Sequence, residues 1–466
     1  MIEALSQYYR APETLLGEIP VTTQPGREGF FRWGRDAVCY GHCVSGVSAR
    51  FEKAPLCAAL TNGHAGGARM KLPYDPARVI ENLRHERYEK NLGWRRKLVS
   101  QQWPFQAYYF LRSGLPASIR RSIQRTYFSD WKVRPFPAWP VDFTVDTLHE
   151  ELLKFSMEAA GLRRLPFIWF WPEGAPSCLI LTHDVETSAG RDRTAQLMDL
   201  DQSFRLRASF QVVPEGRYRV PDEYVREICS RGFEFNIHDL NHDGRLYSAR
   251  DRFLARAKKI NQYARRYNAG GFRAGIMYRN LDWYDAFEFS YDMSVPNVAH
   301  LDPQRGGCCT VFPFFVGGIL EIPLTTTQDY SLFHILNDYS LGLWREQLDL
   351  IRQRNGLMSV LAHPDYLVSP RSREVYQSLL EHLRRMVSEE RVWHALPGEV
   401  DRWWRNRNHM KLVQRGANWE IEGPGKERAR IAYAVLDGDR LLYELGPRPD
   451  GRPSAPRGSD EARLAG

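Results

Sequence analysis

Between residues 175 and 398 the chain alternates two kinds of hydrophobic pattern. Short apolar runs, rich in β-branched and aromatic residues, fall at 178–182, 208–213, 233–237, 271–274, 289–292, 319–324, 357–362 and 391–395. Runs of this length between turn formers read as buried strands. Stretches with helical spacing of apolar residues lie among them, at 191–204, 221–231, 248–267, 340–354 and 372–388. Strands alternating with helices predict a parallel sheet with crossover helices. In such sheets the chemistry gathers at the carboxyl ends of the strands.

Polar residues of the right kinds lie at or just past the ends of four of these strands. The first run continues Thr182-His183-Asp184-Val185-Glu186. Asp184 and Glu186 are two apart, so in extended chain both side chains leave the same side. His183 points the opposite way by the same alternation and reads as structural. The run at 233–237 leads into His238-Asp239-Leu240-Asn241-His242. His238 and His242 share a face if the chain turns helical after the strand. Arg273 lies near the end of the run at 271–274, and His363 follows Leu361-Ala362. Carboxylate and imidazole together suit Zn, Fe, Ni or Co at a site with open positions. A spare carboxylate beside a metal equips a site for hydrolysis.

Each residue also has a plainer reading. His238 and His242 could be surface imidazoles, and Asp184 and Glu186 could cap a helix starting near Thr187. Arg273 could serve a structural salt bridge, and His363 could be an ordinary strand-end histidine. Their joint placement after successive strands favours a site.

The flanks are different. Residues 1–165 form an N-terminal α+β region whose role the pattern leaves open. Pro76 to Lys97 reads as a helix opened by proline, with Val79, Leu83 and Tyr88 on its apolar face. A basic and aromatic segment, Trp94 to Trp131, suits either an outward helix face or contact with an anionic membrane surface. After a barrel region at 175–398 comes a small unit at 409–446. Its short alternating runs are separated by Gly423-Pro424-Gly425 and Asp437-Gly438-Asp439, which predicts a three-stranded β appendage. Residues 447–466 are rich in Pro, Gly, Ser and charge and read as a disordered tail.

Hydrophobic residues make up 43% of the 466, enough for an ample core and two or three domains. Lys and Arg number 64 against 56 Asp and Glu, a net charge of +8 that favours an anionic surface without naming one. No long basic run or nucleic-acid motif accompanies it, so no nucleic-acid partner is expected. The longest apolar run, Leu165 to Trp171, is too short to span a bilayer. The first residues lack a basic and apolar leader pattern, so the expected location is cytoplasmic, with peripheral attachment at the inner membrane face. Seven cysteines without a disulfide spacing fit a reducing compartment. Cys39, His42, Cys43 and Cys57 could form a small metal site, but lack the second pair that structural zinc sites use.

In order and spacing, the pieces ending in Asp184-Val185-Glu186, His238 to His242, Arg273 and Leu361-Ala362-His363 resemble the polysaccharide deacetylase family, carbohydrate esterase family four, in its atypical bacterial branch. The resemblance implies a distorted (β/α) barrel of about seven strands. It implies removal of N-acetyl groups from amino sugars of a polysaccharide or its lipid-linked precursor. It also implies one divalent metal, zinc foremost with Co, Ni or Fe as alternatives, held by Glu186, His238 and His242. Asp184 would be the base, Arg273 its partner and His363 the general acid. The chain departs from the family pattern in three places. Val185 stands where a second Asp is usual, Asp239 follows the first His, and Ala274-Gly275 replaces Pro-Pro-Tyr after Arg273, leaving the backbone oxyanion donor unassigned. In addition, the usual Asp-x-x-x-Trp piece is not recognisable, and Tyr291 to Ser294 resembles only the segment seen in the atypical branch. Two alternatives stand beside this reading: a metal-independent hydrolase of a non-sugar amide, and a non-catalytic glycan-binding descendant.

Overall fold

Apolar runs at the predicted positions fold into one curled sheet in the computed structural model, which describes residues 1–22, 26–34, 37–51, 56–59, 71–92, 123–129 and 131–447. The strands of this sheet are β1 (Cys178–Val185), β2 (Ser209–Val212), β3 (Glu234–His238), β4 (Gly271–Arg273), β5 (Tyr291–Asp292), β6 (Phe314–Val316), β7 (Ile319–Glu321), β8 (Leu357–Ala362) and β9 (Trp393–His394). Their spatial order is β8-β1-β2-β3-β4-β5-β7-β6, with β9 beside the start of β1. All neighbours are parallel except β6 and β7, which pair antiparallel. All eight residues of β1 and all six of β8 are buried, which explains their unbroken apolar character. The pattern missed β6. Its signal was Gly317-Gly318 between two apolar runs, the composition of a tight hairpin turn.

Helices Thr194–Ser203, Asp222–Ser230, Arg250–Tyr267, Gly342–Gln353 and Pro370–Ser388 form the crossovers. The last shows why its sequence is helical. Pro370 stands at the first turn, Ser369 caps it by accepting from the Ser372 N–H at 3.1 Å, and Val375, Leu379, Leu383 and Met386 form one buried stripe. Each such buried aliphatic contributes about 1.5–3 kcal/mol.

The sheet closes without a regular ladder between the chain after β7 and β8. Pro323 follows β7 and has no N–H to give. Threonine side chains take over at the seam. Thr325 Oγ1 donates to the Leu357 carbonyl and accepts from the Ser359 N–H, both at 2.8 Å. Thr326 donates to the Ser359 carbonyl through its N–H at 3.3 Å and its Oγ1 at 2.9 Å.

The described chain divides into two compact units, and neither is continuous in sequence. Residues 20–148 of the expected N-terminal region belong with 175–404, the unit that holds the curled sheet. There, strands Arg27–Trp33 and Ala37–Cys43 pair antiparallel. The helix expected over Pro76 to Lys97 runs only from Pro76 to Arg84. Asp75 caps it, and beyond it the chain passes through left-handed Glu86 to a turn at Glu89–Asn91. Residues 93–122, most of the basic and aromatic segment, lie outside the described residues, as do 448–466.

The other unit contains, among the described residues, 1–19, 149–174 and 405–447. Its C-terminal strands do not form the expected three-stranded appendage by themselves. Ile431–Asp437 pairs with Arg440–Leu445 on one edge and with Arg164–Ile168 on the other. Lys411–Arg415 and Asn418–Glu422 form a separate hairpin. A middle strand with two open edges needs a partner on each, and the apolar run at 164–168 supplies the second. Buried Arg407 ties this unit, donating to the carbonyls of Ile168, Trp169, Tyr8 and Tyr9. Among the described residues, no helix is long and apolar enough to cross a membrane.

Candidate active site

The ends of β1, β3, β4 and β8 bring Asp184, Glu186, His238, His242, Arg273 and His363 into one cleft. Glu186 is its hub. Its Oε1 lies 2.9 Å from His242 Nε2, 3.7 Å from His238 Nε2 and 3.6 Å from His363 Nε2. One donor atom from each of Glu186, His238 and His242 lies within 4.8 Å of the others. The Nε2 atoms of both histidines are buried and make no hydrogen bond, even at 2.9 Å from a carboxylate. Buried ring nitrogens left without a hydrogen bond and within 4.8 Å of a carboxylate oxygen are a donor set that fits a metal. His238 Nδ1 donates to the Arg273 carbonyl at 3.0 Å, and this fixes the tautomer whose Nε2 lone pair is free for a cation.

The two histidines reach the cleft differently from the sequence expectation. The chain after β3 is not helical. Asp239 (φ 56) and His242 (φ 54) are both left-handed, so a tight loop returns the second imidazole beside the first, ring centroids 4.9 Å apart. Asp239 stabilises the bend by accepting the Leu240 N–H on its own Oδ1 at 2.6 Å, the local bonding that lets Asp occupy this backbone region. Gly275 makes room for the loop. A Cβ there would stand 2.6 Å from Asp239 Oδ2 and 2.9 Å from His242 Cδ2. The Ala274-Gly275 departure therefore has a steric reason.

Asp184 is buried against Arg273, whose Nη1 donates to Oδ1 at 2.8 Å. The same guanidinium donates to Thr182 Oγ1 at 3.0 Å and, through Nε, to the Met293 carbonyl at 3.0 Å. Burial alone would raise the Asp184 pKa, but Arg273, His238 and His363 outweigh it and hold the carboxyl below its usual range. Glu186 is lowered further, burial being overcome mainly by His242. For His238, burial is outweighed by Asp184 and Glu186, and its pKa is raised.

His363 has a partner that sequence reasoning missed. Asp329 accepts from His363 Nδ1 at 2.6 Å and from the His363 N–H at 2.7 Å. Against the effect of burial, Asp329 pushes the imidazole pKa well up, so His363 favours its protonated form. Asp329 sits 34 residues before its partner, with no motif linking the two, and only sheet closure brings them together. The segment 291–294 touches the site through its backbone, the Met293 carbonyl accepting from Arg273, while the Asp292 side chain faces Tyr284 and Glu321. Neither Asp184 nor Glu186 caps a helix, since Thr187 does so by accepting from the Gly190 N–H. His183 faces away from the cleft, donating from Nδ1 to the Ala362 carbonyl while Nε2 meets Asp201 at 2.9 Å. Among the described residues no cysteine joins a cluster that could hold a metal.

No family model and no curated protein matches this sequence. The chain is similar to solved structures of polysaccharide deacetylases. One from Mycobacterium smegmatis is 18% identical, over 50% of this chain and 92% of that one, with a TM-score of 0.41. The peptidoglycan deacetylase PdaC from Bacillus subtilis is 11% identical, over 48% and 90%, with a TM-score of 0.31. PuuE allantoinase is 13% identical, over 50% and 92%, with a TM-score of 0.40. Identities this low leave the chemistry to be read from the side chains.

Proposed function

We propose that the protein is a metal-dependent hydrolase that removes N-acetyl groups from amino sugars of a polysaccharide or its lipid-linked precursor. The observation that carries this reading is the set of donors on Glu186, His238 and His242, within 4.8 Å of one another, with Asp184 and His363 beside it. A divalent metal held there, zinc foremost, would polarise the amide carbonyl and bring the pKa of water towards ~7.

The chain's own groups then divide the proton work. Asp184 is ionised and accepts the proton of the attacking water, while Arg273 holds the carboxylate in place. His363, charged and braced by Asp329, returns a proton to the departing nitrogen. The two groups have opposite pKa displacements, the arrangement in which one acts as base and the other as acid at the same pH.

Purified protein should contain one divalent metal per chain and release acetate from an N-acetylglucosamine oligomer. Full activity in a strong chelator would move the assignment to a metal-free amide hydrolase. Metal binding without acetate release from any acetylated glycan would favour a binding protein.

A further inference from the structure

A run of contacts leads from the N-terminal region to this site. Glu86 belongs to the same compact unit as the curled sheet and sits in left-handed backbone (φ 55). Its buried carboxylate receives a two-pronged ion pair from buried Arg279. Nε donates to Oε2 at 2.6 Å, and Nη2 donates to Oε1. The Gly307 N–H also donates to Oε1, at 2.5 Å, and Tyr88 Oη donates to the Gly307 carbonyl at 2.6 Å. A Cβ on Gly306 would come within 2.6 Å of Glu86 Oε1, so the loop is shaped around this carboxylate.

Arg279 carries the grip onward. Its Nη1 donates to the Met277 carbonyl at 2.7 Å, and its backbone N–H and carbonyl are both engaged by the Gln304 amide. Ile276 (φ 61) and Met277 (φ 55) are consecutive left-handed residues. A β-branched residue there is strained, and such strain persists only where the surroundings impose it. The turn begins at Gly275, which packs against Asp239 and the His242 ring. Glu86, Arg279, the strained turn, Gly275 and His242 thus form one chain of contacts.

We infer that Glu86 and Arg279 are positioning residues: they hold the Ile276–Met277 turn and, through Gly275, seat His242 among the metal ligands. This rests on the ligand set proposed above. It makes the segment carrying Glu86 part of the site's construction.

The test compares wild type with Glu86→Gln, Glu86→Asp and Arg279→Lys in the full chain. Hydrogen exchange of peptides covering 274–280 is measured without metal, and cobalt(II) binding is followed by its visible spectrum. Glu86→Gln keeps the shape but loses the charge. It should speed exchange in the turn and weaken cobalt binding ~10- to 100-fold, the range for groups that orient ligands. Glu86→Asp should recover part of both. Arg279→Lys keeps the charge without the fork and should resemble Glu86→Gln. Lower melting temperatures with unchanged exchange and an unchanged cobalt spectrum would overturn the inference and leave a stabilising ion pair. If wild type takes up no cobalt, the ligand set fails on its own. The exchange data still decide the clamp, faster exchange in Glu86→Gln upholding it and unchanged exchange overturning it.

Discussion

Asp184 and Glu186, at the end of β1, and Asp292 and Glu321, register partners on β5 and β7, are two acid pairs on one sheet. Asp184, Asp292 and Glu321 are all buried. The first pair meets Arg273 and three imidazoles, and both carboxyls fall below their usual range. The second pair meets hydroxyl and amide groups. Tyr284 Oη lies 3.0 Å from Asp292 and 3.1 Å from Glu321, while the N–H groups of Ser294 and Val295 donate at 2.7 and 2.9 Å. Burial raises both acids there, Glu321 well above the usual range with Asp292 adding to it. At the second pair the neutral donors do not outweigh desolvation, whereas at the first pair the nearby cations do. Strand-end position alone therefore does not mark a reactive carboxylate. The charge of its neighbours does.

The largest expected effect is at Glu186. Glu186→Ala should lose metal and turnover together, and Glu186→Asp should keep part of both, checked by metal analysis beside acetate release. Asp184→Asn should lower kcat by ~10²–10⁴ while most metal stays bound, because Asn keeps the shape but cannot take the proton. If Asp184→Asn empties the site, Asp184 is a ligand and the contrast between the pairs needs redrawing.

The pH profile sharpens the contrast at the acid. On the proposed roles activity needs Asp184 ionised, so it should fail only as pH falls through a pKa below the usual ~3.9. It needs His363 protonated, so it fails as pH rises through a pKa well above the usual ~6.5. Asp329→Asn removes the carboxylate that raises His363, and the alkaline limb of kcat/KM should move to lower pH. An unmoved limb would assign it to another group.

The smallest effect on catalysis belongs to the second pair. Asp292→Asn should change kcat far less than Asp184→Asn does, since the proposed mechanism gives this pair no proton to carry. Its signature is in stability. The folded pKa values exceed the unfolded ones, so the pair's contribution is full below the ordinary carboxylate pKa and is lost as pH rises through the folded values. The variant should flatten the fall of Tm with rising pH.

Local pattern made much of this legible. The strands at 178–182 and 357–362 were readable because burial on both faces leaves unbroken apolar runs. His183 was separable from Asp184 by alternation alone. The histidine loop was not readable as a loop, because four-residue spacing fits a helical turn and a left-handed return equally well. Asp329 and Glu86 were invisible for another reason. Each meets its partner across tens to hundreds of residues, and nothing in the flanking sequence marks the encounter.

The threonine seam has a consequence in length rather than energy. Asp329 lies three residues past Thr326, and His363 lies four past Ser359. The hydroxyl bonds between Thr325, Thr326 and β8 therefore act as the zero mark of a ruler, with the acid and its brace read off at fixed counts on either side. One extra residue between Thr326 and Asp329 would leave the zero mark in place and carry the carboxylate past the imidazole. Such an insertion separates two tolerances that point substitutions confound: how well the sheet closes, and how accurately the closed sheet sets Asp329 against His363.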